Sequence, residues 1–231
     1  MAELIRGLDV ARVAANLAAV RAEVGDACAR AGRDPSAVEI LAAVKYVATE
    51  ELPVLAEAGV TLAGENRAQA LLEKVAAPGG EALTWDFIGH LQSRKVKQIV
   101  PHVRFIHSVA SASVLRELER HGTEDTRVLV EVNVSGEEGK SGIAPDELDA
   151  FIGRCPVPVV GLMTMPPLAD EPEASRPWFA ALARMASERG LEHLSMGTTQ
   201  DFPVAVEEGA TIVRIGARLY GPLHELQANP V

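Results

Sequence analysis

Aromatic residues make up only 4% of this sequence, two residues are cysteine, and 22 Lys and Arg are outnumbered by 32 Asp and Glu. Each shortage excludes something. With so few rings, the core has to rest on Ala, Val, Leu and Ile. Cys28 and Cys155 lie far apart in no metal-ligand spacing. That speaks against a disulfide framework or a zinc site and fits two reduced thiols in a cytoplasmic protein. A formal net charge of −10 repels phosphate backbones, so nucleic acid is not an expected partner. An anionic ligand has to be held by local charge and backbone N–H groups. No run approaches the ~18 apolar residues of a membrane span. The start, MAELIRGLDVARV, carries Glu3, Arg6, Asp9 and Arg12 where a signal peptide would be apolar.

What is present is a rhythm. The first thirty residues place Leu8, Val10, Val13, Leu17, Val20 and Val24 at helical spacing, and Gly32 stops the helix. Short apolar runs then alternate with helical segments. Strands are expected at 38–45, 61–66, 84–90, 104–109, 127–134, 157–165, 192–197 and 211–216. Helices fall between them, beginning with 49–59, for which Thr49 is the N-cap candidate and Gly59 the stop. The strands are continuous apolar runs, as suits parallel strands covered on both faces. Eight such units predict a (β/α)8 TIM barrel. A doubly wound open sheet is the alternative, weakened because no Gly-rich dinucleotide fingerprint follows the first strand. One domain is expected over 1–231, with 1–36 as a helical N-terminal extension and 37–221 as the barrel.

Barrels do their chemistry where the strands end. Here the endings are polar: Lys45, Asn66, His90, His107-Ser108, Asn133, Met163-Thr164, Ser195 to Thr198, and Arg214 to Gly216. Lys45 closes the apolar run Ile40 to Val44. Loss of hydration costs an ammonium more than an amine, and the amine is the form that condenses with an aldehyde. The bland alternative is a lysine that reaches out to solvent. Ser195-Met196-Gly197-Thr198-Thr199 and Gly216 form the two loops where barrels often hold phosphate, with Gly197 and Gly216 permitting close backbone approach. Ordinary turn chemistry is the alternative there. A lysine facing a phosphate cup across one mouth suggests pyridoxal 5′-phosphate (PLP). Arg214 pointing at the pyridine nitrogen would leave the ring unprotonated and a poor electron sink; otherwise it lines the barrel, with Glu65 as a candidate partner. His107 reads best as a satisfied core histidine. Met163 and Met165 suit packing as well as ligand contact. The loop SGEEGKSG is expected to be flexible with Lys140 in solvent, and Ser93 to Lys97 to be a solvated basic face.

AAVKY, GENRAQ, FIGHLQSRKVK, FIHSV, VLVEVNVSGEEGKSGI, GLMTMPP, LSMGTTQDFPVAVEEGATIVRIG and LYG follow one another in order. Together they resemble the pyridoxal phosphate homeostasis proteins over about residues 38–221. The resemblance implies a barrel similar to the N-terminal domain of alanine racemase. It implies PLP bound as a Schiff base on Lys45, with phosphate contacts around Ser195, Gly197, Thr198 and Gly216, and Arg214 at the pyridine nitrogen. Asn66, His90, Met163 and Met196 would line the pocket. The family pattern after the strand-seven glycine is closer to Met-Ser, whereas Thr198-Thr199 stand here.

The function so implied is a carrier or buffer of PLP in vitamin B6 homeostasis, without catalytic turnover and with PLP-dependent apo-enzymes as candidate partners. Racemases of this fold draw a tyrosine base from a second domain. This sequence ends soon after Tyr220, so no such domain, and a monomer, are expected. A PLP-dependent racemase or other weak PLP enzyme is the alternative, with Tyr46 or Tyr220 as base. A sugar-phosphate aldolase using Lys45 is a third.

Overall fold

The structure, a computed structural model, describes residues 4–221. The first three residues of the expected extension and residues 222–231 of the expected domain lie outside the described residues. Eight parallel strands close into a barrel in chain order: β1 (Glu39–Ala43), β2 (Leu62–Glu65), β3 (Thr84–Phe87), β4 (Phe105–Val109), β5 (Arg127–Glu131), β6 (Val159–Met163), β7 (His193–Thr198) and β8 (Ile212–Ile215). β1 pairs with β8 through the register Leu41 to Arg214, which seals the ring. The open-sheet alternative is thereby overturned.

The first helix, α1 (Val10–Ala31), is capped by Asp9, whose carboxylate accepts from the Arg12 N–H. It ends at Gly32, in the left-handed region with φ 64°. Helices α2 (Leu52–Glu57), α3 (Ala68–Val75), α4 (Val96–Ile99), α5 (Ala112–His121), α6 (Leu148–Ile152), α7 (Arg176–Ser187) and α8 (Phe202–Glu207) follow the first seven strands, and a single turn, α9 (Ala217–Tyr220), follows the last. Thr49 is not a cap. It opens a 3-10 turn over Thr49–Glu51 that runs into α2, and Ala48 precedes that turn with no side-chain bond.

Two apolar cores result. The larger lies between the strands and the surrounding helices and includes Val13, Leu17, Leu118, Phe179, Phe202 and Met196. The smaller fills the barrel with Leu41, Leu62, Phe105, Leu129, Met163 and Ile212. The N-terminal segment does more than add a helix. Ile5 bridges Val47 in parallel, its N–H donating to the Tyr46 carbonyl at 2.7 Å. The Glu51 carboxylate accepts from the N–H groups of Gly7 (2.7 Å) and Leu8 (2.9 Å). The chain before α1 therefore straps the loop that carries Lys45.

Candidate functional site

All eight strands point the same way, so the residues just past their ends share one mouth. Lys45, Asn66, Thr198 and Gly216 lie there by topology alone. The Lys45 side chain is half-buried, its Nζ 4.8 Å from the centroid of the Tyr46 ring. Among the described residues no carboxylate lies within ion-pair distance of it. Asn66 is held by its backbone: its N–H donates to Glu65 Oε1 at 2.7 Å, and its side-chain Oδ1 is buried without a partner among the described residues.

Beneath this rim lies a buried ion pair. Lys74, on α3, donates to Glu65 Oε2 at 2.6 Å and to the Val44 carbonyl at 2.5 Å. Glu65 Oε1 also receives the Arg67 N–H at 3.1 Å. Glu65 is therefore not the partner of Arg214. One pair of buried charges fixes the backbone at the ends of two neighbouring strands, immediately before Lys45 and at Asn66.

Arg214 is buried inside the barrel. Nη1 donates to the Ser195 carbonyl (2.8 Å) and hydroxyl (2.5 Å); Nη2 donates to the Thr164 carbonyl (3.0 Å) and meets the Met165 sulfur at 2.8 Å. No carboxylate touches it among the described residues. Burial lowers the guanidinium pKa to about 10, against the opposing pull of Asp201 and Glu131, so it stays a cation at neutral pH. Its Nε is the one donor these bonds do not use.

A chain of polar groups runs down the barrel from there. The Ser195 hydroxyl lies 2.8 Å from His107 Nδ1, and His107 Nε2 lies 3.0 Å from Asp86 Oδ2. Arg104 grips Asp86 through Nε (3.1 Å) and Nη2 (2.8 Å) and reaches Glu39 at 2.6 Å. Burial alone would raise the Asp86 carboxyl; the bonds and charges of His107 and Arg104 overcome it and hold the group below its ordinary value. His107 is fully buried with both ring nitrogens satisfied, as expected for a core histidine. The expectation missed Asp86 and Arg104. A lone aspartate inside the apolar run TWDF was the available signal, because a buried carboxylate must have partners.

The other expected residues are placed as follows. Met196 does not line the barrel; it is fully buried in the outer core, because side chains alternate along β7 and Ser195 takes the inward place. The Ser195 hydroxyl bonds His107 and Arg214. Gly197, at φ 87°, serves helix packing: a Cβ there would stand 2.5 Å from Ala205 and 2.9 Å from Phe202. The Thr198 N–H and hydroxyl both donate to Asp201 Oδ1, at 2.7 and 3.2 Å. Gly216, in contrast, faces open space, with only Ala43 within 4 Å of a built Cβ, and its N–H approaches Thr199 Oγ1 at 3.3 Å. Met163 is buried in the barrel core. His90 is exposed. Gly89 is needed because the Asn66 carbonyl would lie 2.0 Å from a Cβ. Lys140 is half-buried and paired with Glu137 at 2.9 Å, and its loop is tied to the barrel by the Val132–Ile143 bridge. Arg94 and Lys97 are exposed, as a solvated face requires. Both cysteines are free, and no three metal-binding side chains cluster among the described residues. Nor is any described helix long and apolar enough to cross a membrane.

This geometry can be set beside known proteins. The model of the alanine racemase N-terminal domain matches residues 8–224. A pyridoxal phosphate homeostasis protein of Aquifex aeolicus is 41% identical over 218 residues, covering 89% of this chain and 96% of that one. The chain belongs to the pyridoxal phosphate homeostasis protein family. Its Escherichia coli member is 31% identical over 90% of this chain and 96% of its own length. PipY of Synechococcus elongatus, solved with PLP bound, superposes with a TM-score of 0.74 at 30% identity, covering 90% of this chain and all of that one. Alanine racemase of Corynebacterium glutamicum shares the fold at TM-score 0.68 and 18% identity, over 96% of this chain and 64% of that one.

Proposed function

We propose that this chain binds pyridoxal 5′-phosphate at the barrel mouth and acts as a carrier or buffer in its homeostasis, without turnover. The observation that carries the reading is Lys45: a half-buried amine with no carboxylate in reach among the described residues, on a loop fixed from both sides. When bound, PLP supplies an electrophilic aldehyde carbon to which primary amines add. Three features fit the rest of the molecule. Asn66 Oδ1 is a buried acceptor without a partner among the described residues. Gly216 borders open space, with the Thr199 hydroxyl beside its N–H. Arg214 is a cation that cannot accept a proton, which suits an unprotonated pyridine nitrogen and so a weak electron sink. The name of the relatives and the PLP bound to PipY support the same reading.

A racemase or other PLP enzyme would need a second proton carrier. Tyr220 is a poor one. It is buried, its hydroxyl donates to the Ala43 carbonyl at 3.3 Å, and burial and the Glu65 charge push its pKa up. A PLP titration of the protein and Lys45→Ala, followed by incubation with single L-amino acids and chiral analysis, tests the proposal. A visible absorption band that depends on Lys45, with no sustained turnover, is expected. Absence of the band refutes binding, and sustained racemisation or decarboxylation refutes the carrier role.

A further inference from the structure

The barrel interior holds groups that ligand binding at the rim does not itself use: His107 on β4, Asp86 on β3 and Ser195 on β7. The direction of their hydrogen bonds is set from the two ends, an arginine that only donates and a carboxylate that only accepts. A guanidinium only donates, so Arg214 Nη1 gives a proton to the Ser195 oxygen. The Ser195 hydroxyl keeps its own proton to donate, and His107 Nδ1 stands 2.8 Å away. The Asp86 carboxylate can only accept, so the proton of the neutral ring sits on Nε2, directed at Asp86 Oδ2, and Nδ1 is left bare to accept from Ser195. Asp86 is kept an acceptor by the two-point grip of Arg104.

We propose that His107 is a positioning residue: held by Asp86 as the neutral Nε2–H tautomer, it takes the Ser195 proton and so leaves the Ser195 oxygen to fix Arg214 beneath the ligand. The part concerning the ligand rests on the PLP reading above; the tautomer does not.

Burial and two cations oppose the doubly protonated ring. A proton on Nδ1 would take away the acceptor that faces the Ser195 hydroxyl. Arg214 on β8 and Arg104 ahead of β4 both repel a charged ring; Asp86 on β3 is the charge that favours it. The nearest ring, Phe105, 6.4 Å away between centroids, offers no charge. Complete burial adds its own cost to ionisation and pushes the imidazole below its ordinary value. The geometry also explains why a guanidinium with no carboxylate at hand is tolerated inside the barrel. It is held by three oxygens and a sulfur, and the nearest oxygen is polarised through the imidazole by Asp86.

Long-range proton–nitrogen NMR of the imidazoles in the full chain tests the tautomer, with and without PLP. The signal lost in His107→Asn is expected to be Nε2–H and not to titrate over roughly pH 5.5 to 8.5. An Nδ1–H tautomer, or titration in that span, overturns the proposal. PLP affinity and the pH profile of the visible band test the consequence. His107→Leu and Ser195→Ala are each expected to weaken binding about tenfold and to shift the profile, as loss of one bond to a charged group implies. His107→Asn keeps an oxygen where Nδ1 stands and should recover most of the loss. Equal behaviour of all three variants and the parent overturns the positioning role. If the parent protein binds no PLP, the reading of the site fails, and the tautomer result still decides the hydrogen-bond chain.

Discussion

The Lys74 ammonium and the Glu65 carboxylate meet at 2.6 Å with side chains 4% and 0% exposed, below the rim that carries Lys45 and Asn66. Neither charge has water to fall back on, so each depends on the other. The remaining lone pairs and protons are spent on the Val44 carbonyl and the N–H groups of Asn66 and Arg67. The pair therefore holds the mouth in shape.

Removing one partner should be costly. Lys74→Met leaves Glu65 buried and unpaired and is expected to lower unfolding free energy by about 3–5 kcal/mol. The double variant Lys74→Met with Glu65→Gln should recover part of that loss. Urea unfolding of the three proteins measures both; a single variant as stable as the parent would show the pair to be idle.

Thr199 offers a separate handle on the anionic end of the ligand. Its hydroxyl touches only the Gly216 N–H among the bonds described. Thr199→Val, at a half-buried position, should cost about 0.5–1.5 kcal/mol of stability through the lost bond to the Gly216 N–H. It should weaken PLP binding roughly tenfold or more if the hydroxyl bonds a phosphate. Unchanged affinity would move the phosphate elsewhere on the rim.

Two glycines at the mouth and one at the opposite end of the barrel should differ sharply in tolerance. In Gly89→Ala the added methyl would lie 2.0 Å from the Asn66 carbonyl, backbone that cannot turn aside. Gly197→Ala adds a strained φ of 87° to a 2.5 Å approach to Ala205. Each is expected to cost about 1–3 kcal/mol or more. Gly190→Ala, with φ 63° but open space around it, should cost less than either. Melting temperatures of the three rank them directly.

Stability should fall on the acid side in two stages. Burial holds His107 and His193 below the ordinary histidine value of 6.5, so below that pH the unfolded chain binds protons that the native state refuses. Their contribution is complete above about pH 6.5 and is lost as pH falls, at up to about 1.4 kcal/mol per pH unit for each ring. Asp86, held below its ordinary 3.8, adds a second loss under that value by the same sign. His107→Asn should flatten the first stage. A parent protein equally stable at pH 7.5 and 5.5 would contradict this.

The sequence alone determined the elements and their order. Buried parallel strands must be apolar on both faces, so each announced itself as an unbroken run, and glycines such as Gly32 and Gly59 marked helix ends through positive φ. The common mouth followed at once, because parallel strands in a closed ring put every C-terminal end on one side. The same unbroken runs hid which residues face inward: with no alternation to read, Met196 and Ser195 looked alike. The register of β7 against β8 shifts between Ser195 and Thr198, and the packing of α8 decided what Gly197 is for. Tertiary structure alone joined Glu65 to Lys74 and Asp86 to Arg104 and His107. Buried charges find partners by proximity in space, and sequence spacing carries no trace of that.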